Sequence, residues 1–167
     1  MNKSFRIGST VLACAYFWYC AKNYTEWHFI DNANLIFHEA GHTIFFFLGT
    51  FIQVLAGSGL QVMLPLSIAL YFFYHRQNIS GALCLLWTGQ SLLSVSVYAG
   101  DAVLQQLDLL GGDSVMHDWN YLLSTTGLLP HTDIVASGIY FLGICTIGIG
   151  SILSLYYASS IDPEKNM

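Results

Sequence analysis

The sequence predicts an all-α protein built as a polytopic integral membrane helix bundle, with about five spans, some of them broken. Composition is the first observation behind this: 54% of the 167 residues are hydrophobic and only 9% are charged, where a soluble domain carries about 25%. Five Lys and Arg with ten Asp and Glu cannot coat a core of this size, so the missing polar surface is assigned to lipid. The second is the distribution of the apolar residues. They gather in runs approaching the roughly 20 residues a helix needs to cross about 30 Å of hydrocarbon, and the mean hydropathy is +0.55.

In chain order, the first run lies between Arg6 and Lys22 with charge at both ends. Lys3 and Arg6 ahead of it look like the basic start of a signal peptide, but the run is expected to stay as an anchor. A second run extends from Leu35 to Ala56, where Gly57-Ser58-Gly59 is expected to break it, and a third runs from Leu60 to Tyr74 with Pro65 inside. Glycine and proline at membrane depth need neighbouring helices to satisfy the freed backbone, so this region is expected inside the bundle. The fourth run goes from Ser80 to Leu107, and the fifth, Ile134 to Ala158, carries no charge. In the fifth, Gly138, Gly143, Gly148 and Gly150 offer close helix packing.

Between the last two runs, Asp108 to Asp133 is too polar to span. A Gly111-Gly112 turn, a short helix from Asp113 or Ser114 to about Thr126, and a loop through Pro130 are expected there. Residues 1–167 read as a single membrane domain, without repeats. Charge does not orient five spans: a cytoplasmic N-terminus puts Lys3 and Arg6 inside but Lys22, Arg76 and Lys165 outside, a difference of one.

Composition also excludes classes of function. A net charge of -5 with no basic cluster gives nucleic acid nothing to bind. The four cysteines, Cys14, Cys20, Cys84 and Cys145, sit in apolar stretches without paired spacing, and are read as buried structural thiols.

The chemistry lies in His38-Glu39-Ala40-Gly41-His42, an H-E-x-x-H sequence. Residues four apart share a helix face, so both imidazoles can reach one ion, Zn2+ by donor type. Zinc lowers the pKa of water from 15.7 to about 7, and Glu39 is placed as the general base that takes its proton during attack on a carbonyl. Leu35-Ile36-Phe37 precede the motif and Ile44-Phe45-Phe46-Phe47-Leu48 follow it. Ionisable groups in such a setting mark a functional site by default.

A catalytic zinc has three protein ligands, and the third is expected from the polar segment. His117, between Asp113 and Asp118, is the first choice and Asp118 the next. The one that does not ligate is left to orient a ligand. Asp113 reads either as a ligand or as a helix N-cap after the two glycines. Gln90, Ser94, Tyr98, Asp101 and Gln105 recur at helical spacing on the fourth run, a polar stripe that should face the bundle interior. Asp101 in that stripe is open to three roles: ligand, orienting group or membrane-border residue. Gln53 and Gln61 are weaker candidates for the same cavity, and His28, His75 and His131 are assigned none.

The motif in its apolar run resembles the site-2 protease family of intramembrane zinc metalloproteases, whose signature often has a glycine before the second histidine, as Gly41 stands here. In that family a later helix supplies an aspartate ligand from an L-D-G motif, to which Leu107-Asp108-Leu109-Leu110-Gly111-Gly112-Asp113 is loosely similar. The resemblance implies a membrane-protein or peptide substrate cut within or near the bilayer. From the residues alone, hydrolysis of a lipid amide or ester, and non-enzymatic metal binding by a transporter or sensor, stay open beside it. Glu39 separates these, because hydrolysis needs a carboxylate beside the first ligand and transport does not.

Overall fold

The computed structural model describes residues 3–108, 110 and 116–160. It is all-helical: α1 (Lys3–Lys22), α2 (Phe29–Ile44), α3 (Thr50–Tyr74), α4 (Asn78–Gly100), α5 (Asp118–Thr126) and α6 (Thr132–Ser159), with short 3-10 turns at Phe46–Leu48 and Leu129–His131.

Among the described residues, three helical stretches are long and apolar enough to cross a membrane: Thr50–Tyr74, Asn78–Gly100 and Leu129–Ser159. About five were expected. At a 1.5 Å rise, the 16 residues of α2 reach only about 24 Å. The 20 residues of α1 have the length, but Lys3, Arg6 and Lys22 with Ser4, Ser9 and Thr10 dilute its apolarity.

The second and third expected runs are cut at a different point from the one anticipated. Gly57-Ser58-Gly59 lies inside α3 without interrupting it, and Pro65 is also accommodated there, buried. The break falls at Phe45–Gly49, where Gly49 has φ +86°, a backbone region that glycine enters without strain. At the fourth run, the helix stops at Gly100 rather than Leu107. Its C-cap, Asp101, accepts hydrogen bonds from the Gln106 and Leu107 N–H groups at 2.9 Å each and folds the chain back.

The core lies where α4 and α6 pack antiparallel, with Leu86, Leu93 and Ile147 almost fully buried and Cys14 and Ala21 of α1 completing the cluster. Of the four glycines expected to bring the last helix close, Gly143 and Gly150 do so. A Cβ on Gly143 would lie 2.8 Å from Leu93 Cδ2, whereas Gly138 and Gly148 face open space.

The orientation of α2 is set by a buried polar network. Asp31 Oδ1 accepts from Gln90 Nε2 at 2.7 Å and Asn34 Nδ2 at 3.2 Å. Asn34 Nδ2 also donates to Gln90 Oε1 at 2.7 Å, while Asn34 Oδ1 accepts from Trp87 Nε1 at 2.9 Å and Ser91 Oγ at 3.0 Å. Buried amides and carboxylates are tolerated only when bonded in this way. Rotating α2 would break several of these bonds together, so the network fixes the direction of His38, one turn beyond Asn34.

Candidate metal centre

His38 and His42 stand one turn apart near the C-terminal end of α2, with ring centroids 4.7 Å apart. Each is held by its Nδ1 atom. His38 Nδ1 lies 3.3 Å from Gln61 Oε1, and His42 Nδ1 lies 2.9 Å from the Gln53 backbone carbonyl, both on α3. Oxygens in those positions accept hydrogens, so both rings carry their proton on Nδ1 and turn the Nε2 lone pair inward. This is how outer-shell partners orient metal-binding histidines. Gln61 is steadied in turn by its Nε2 donating to Ser94 Oγ at 3.3 Å.

The two Nε2 atoms meet Asp118, the first residue of α5. Its Oδ2 is 2.9 Å from His38 Nε2 and 3.1 Å from His42 Nε2, and the two nitrogens are 3.0 Å apart. Among the described residues, His38, His42 and Asp118 form the group that can hold a metal ion. Without a metal, an Nε2–H on either ring can donate to Asp118; burial works against charge on that carboxyl, but such hydrogen bonds from His38 and His42 outweigh it and hold it below the ordinary carboxylate range.

The donor set fits a divalent cation. Two lone pairs and a carboxylate oxygen crowded within 3.1 Å repel one another unless a positive species sits among them. Zinc held at about 2.0–2.1 Å in tetrahedral geometry separates its ligands by about 3.3–3.4 Å, a few tenths of an ångström beyond the spacing seen. Room for an ion would come from Gly57. A Cβ there would lie 2.6 Å from His42 Nε2 and 2.8 Å from His38 Nε2, filling the cradle.

His117, the first choice for third donor, is turned elsewhere. Its Nδ1 accepts the Asn120 N–H at 3.2 Å as the N-cap of α5, which puts its proton on Nε2, 3.3 Å from Asp101 Oδ2. Both nitrogens are thereby engaged and no lone pair faces the cluster. Asp118 takes the place instead, and His117 with Asp101 supports α5. Asp113 lies outside the described residues. Asp108 is exposed on the connector after α4.

Glu39 is exposed on α2, and its carboxylate is close enough for its charge to act on His42 and Tyr98. From the polar stripe on α4, Ser94 and Tyr98 reach the site, Gln90 belongs to the α2 network, and Gln105 lies past the helix end with φ +50°. Two contacts that fix Asp118 escaped the sequence reading. Its backbone N–H donates to Tyr98 Oη at 3.1 Å, and the neighbouring Trp119 Nε1 donates to Ser58 Oγ at 3.1 Å. The Asp31–Asn34 network was also missed, although both residues fall on the stripe that continues to His38, a signal the pattern did contain.

No family model, curated protein or solved structure matches the chain.

Proposed function

We propose that the protein is an integral membrane zinc metalloprotease that hydrolyses peptide bonds within or near the bilayer. The observation that carries the reading is the convergence of His38 Nε2, His42 Nε2 and Asp118 Oδ2 within 3.1 Å, beside the Glu39 carboxylate. A two-histidine, one-carboxylate set leaves a position for water or substrate. Three helices with the length and apolarity to cross a membrane support the membrane assignment.

Zinc held by His38, His42 and Asp118 would supply an acidified water and polarise the carbonyl to be cut. The remaining work falls to the chain. Gln61 and the Gln53 carbonyl keep both imidazoles in the tautomer that exposes Nε2. Glu39 holds the attacking water and accepts its proton, then returns it to the leaving amine. Tyr98 and the Trp119–Ser58 bond keep Asp118 aimed at the cluster.

The deciding experiment compares wild type with Glu39→Gln for zinc content and for cleavage of membrane-anchored peptides. Zinc is expected to remain at about one per chain while turnover drops by about 10²-fold or more. Equal cleavage by the two proteins would eliminate the hydrolytic mechanism. A metal transporter or sensor built on the same histidines would keep its function in this variant.

A further inference from the structure

The bundle has two ends, and the metal cluster belongs to one of them. His38 and His42 contact Gln53, Gly57 and Gln61, which lie in the first half of α3 as it descends from Thr50. Tyr98, which holds Asp118, stands two residues before α4 ends at Gly100. Gly100 faces Ala136 on the first turns of α6. The start of α3, the end of α4, the helix α5 and the start of α6 therefore share the cluster's end.

The opposite end gathers the start of α1, the α3–α4 turn and the end of α6. The Arg6 guanidinium donates to the Ser160 carbonyl at 2.9 Å, and Trp18 Nε1 donates to Ser151 Oγ at 3.0 Å, which makes α1 antiparallel to α6. Gly150 packs on Ala82 and Leu86, so the turn before Asn78 lies beside the end of α6.

Seen on these two ends, the charges separate. Lys3, Arg6 and Arg76 sit at the end away from the cluster. Of the described cations only Lys22 lies in the cluster's half, since Tyr24 just beyond it packs at a tilt against Tyr140 with centroids 4.8 Å apart. Of the described acids, Glu39, Asp101, Asp118 and Asp133 stand toward the cluster's end, while Asp31 bonds Gln90 near the middle of α4. Lys165 is outside the described residues. The balance that was two against three for five spans becomes three against one, because α2 does not cross and Arg76 joins Lys3 and Arg6.

Lys and Arg are retained on the cytoplasmic side, where anionic lipid and the membrane potential both favour them. We propose that the metal cluster faces the non-cytoplasmic side, so that it takes up its ion there and acts on a peptide segment bordering the membrane on that side. The exposed Glu39 fits this placement, because a carboxylate on the outer face of α2 can reach water from near a helix end but not from the bilayer centre. The substrate part of the inference rests on the metalloprotease reading, and the orientation does not.

The test labels single cysteines with a membrane-impermeant maleimide on intact cells and again after permeabilisation, using the full chain. Gln106→Cys and Ser124→Cys report the cluster's end, and Tyr74→Cys and Gln77→Cys the other; all four positions are exposed. Wild type, whose cysteines lie within the helices, serves as the blank. The first pair is expected to label on intact cells as fully as after permeabilisation, and the second pair to label several-fold more once the cells are opened. The reverse order, or equal labelling of both ends on intact cells, would overturn the proposal, as would a pair that stays unlabelled after permeabilisation. The readout involves neither zinc nor turnover, so its failure leaves the metal reading standing. Absence of zinc from the purified protein would leave the orientation standing.

Discussion

Replacing Gly57 with alanine puts one methyl group where the ion is expected. The added carbon would lie 2.6 Å from both Cε1 and Nε2 of His42 and 2.8 Å from His38 Nε2, well inside the 3.4 Å at which ordinary contact begins. The rings cannot swing away freely, because Gln61 Oε1 and the Gln53 carbonyl hold their outer nitrogens. Each such bond contributes about 0.5–1.5 kcal/mol net, and overpacking of this kind costs about 1–3 kcal/mol. If that cost falls on the metal-bound form, zinc affinity drops by about 5- to 150-fold, at about 1.4 kcal/mol per decade. The assay is zinc competition with a chelator of known affinity in detergent. Gly59→Ala, two residues along the same helix and facing open space, is the matched control and should bind zinc normally. Wild-type affinity in Gly57→Ala would refute the placement of the ion against α3.

Asp118→Asn should abolish tight zinc binding, while His117→Asn, which preserves an N-cap for α5, should weaken it by about 10-fold at most; chelator competition reads both, and the opposite order would return the third-donor role to His117. Tyr98→Phe keeps the ring but leaves the Asp118 N–H without its acceptor, so zinc affinity should fall by about 10-fold as the same titration measures, and unchanged affinity would remove Tyr98 from the support of Asp118. Asn34→Leu strands Trp87, Ser91 and Gln90 partners in the core, each at about 1–3 kcal/mol, and should lower the midpoint of thermal unfolding even without metal. In the metal-free protein the Asp118 contribution is present above the ordinary carboxylate value of 3.8 and is lost as pH falls through its depressed folded value; unfolding midpoints measured from pH 5 downward should fall for wild type more than for Asp118→Asn.

Local pattern carried much of this protein in its sequence. Apolar runs with few charges specify buried or lipid-facing helices whatever their neighbours are, because the helix satisfies its own backbone. The four-residue spacing of His38 and His42 specifies a shared face, so the two nitrogen donors and the adjacent carboxylate were legible at once. What local pattern does not encode is the partner brought from far along the chain. Asp118 meets His38 across 80 positions, and its choice over His117 turns on which side chain caps α5 and which continues past the cap toward α2. The same limit applies to the span count. Whether Gly49 or Gly57 breaks the chain depends on which of them lies against another helix, and Gly57 is held in α3 by its close approach to the two imidazoles. Which helix ends meet is likewise not local: it follows from α1 and α4 both packing antiparallel on α6. Periodicity and composition act over one or two turns and were decided by the sequence alone. The meeting of Asp118 with the two histidines, the space at Gly57 and the two ends of the bundle were decided by tertiary structure, because each depends on contacts between helices that no short segment contains.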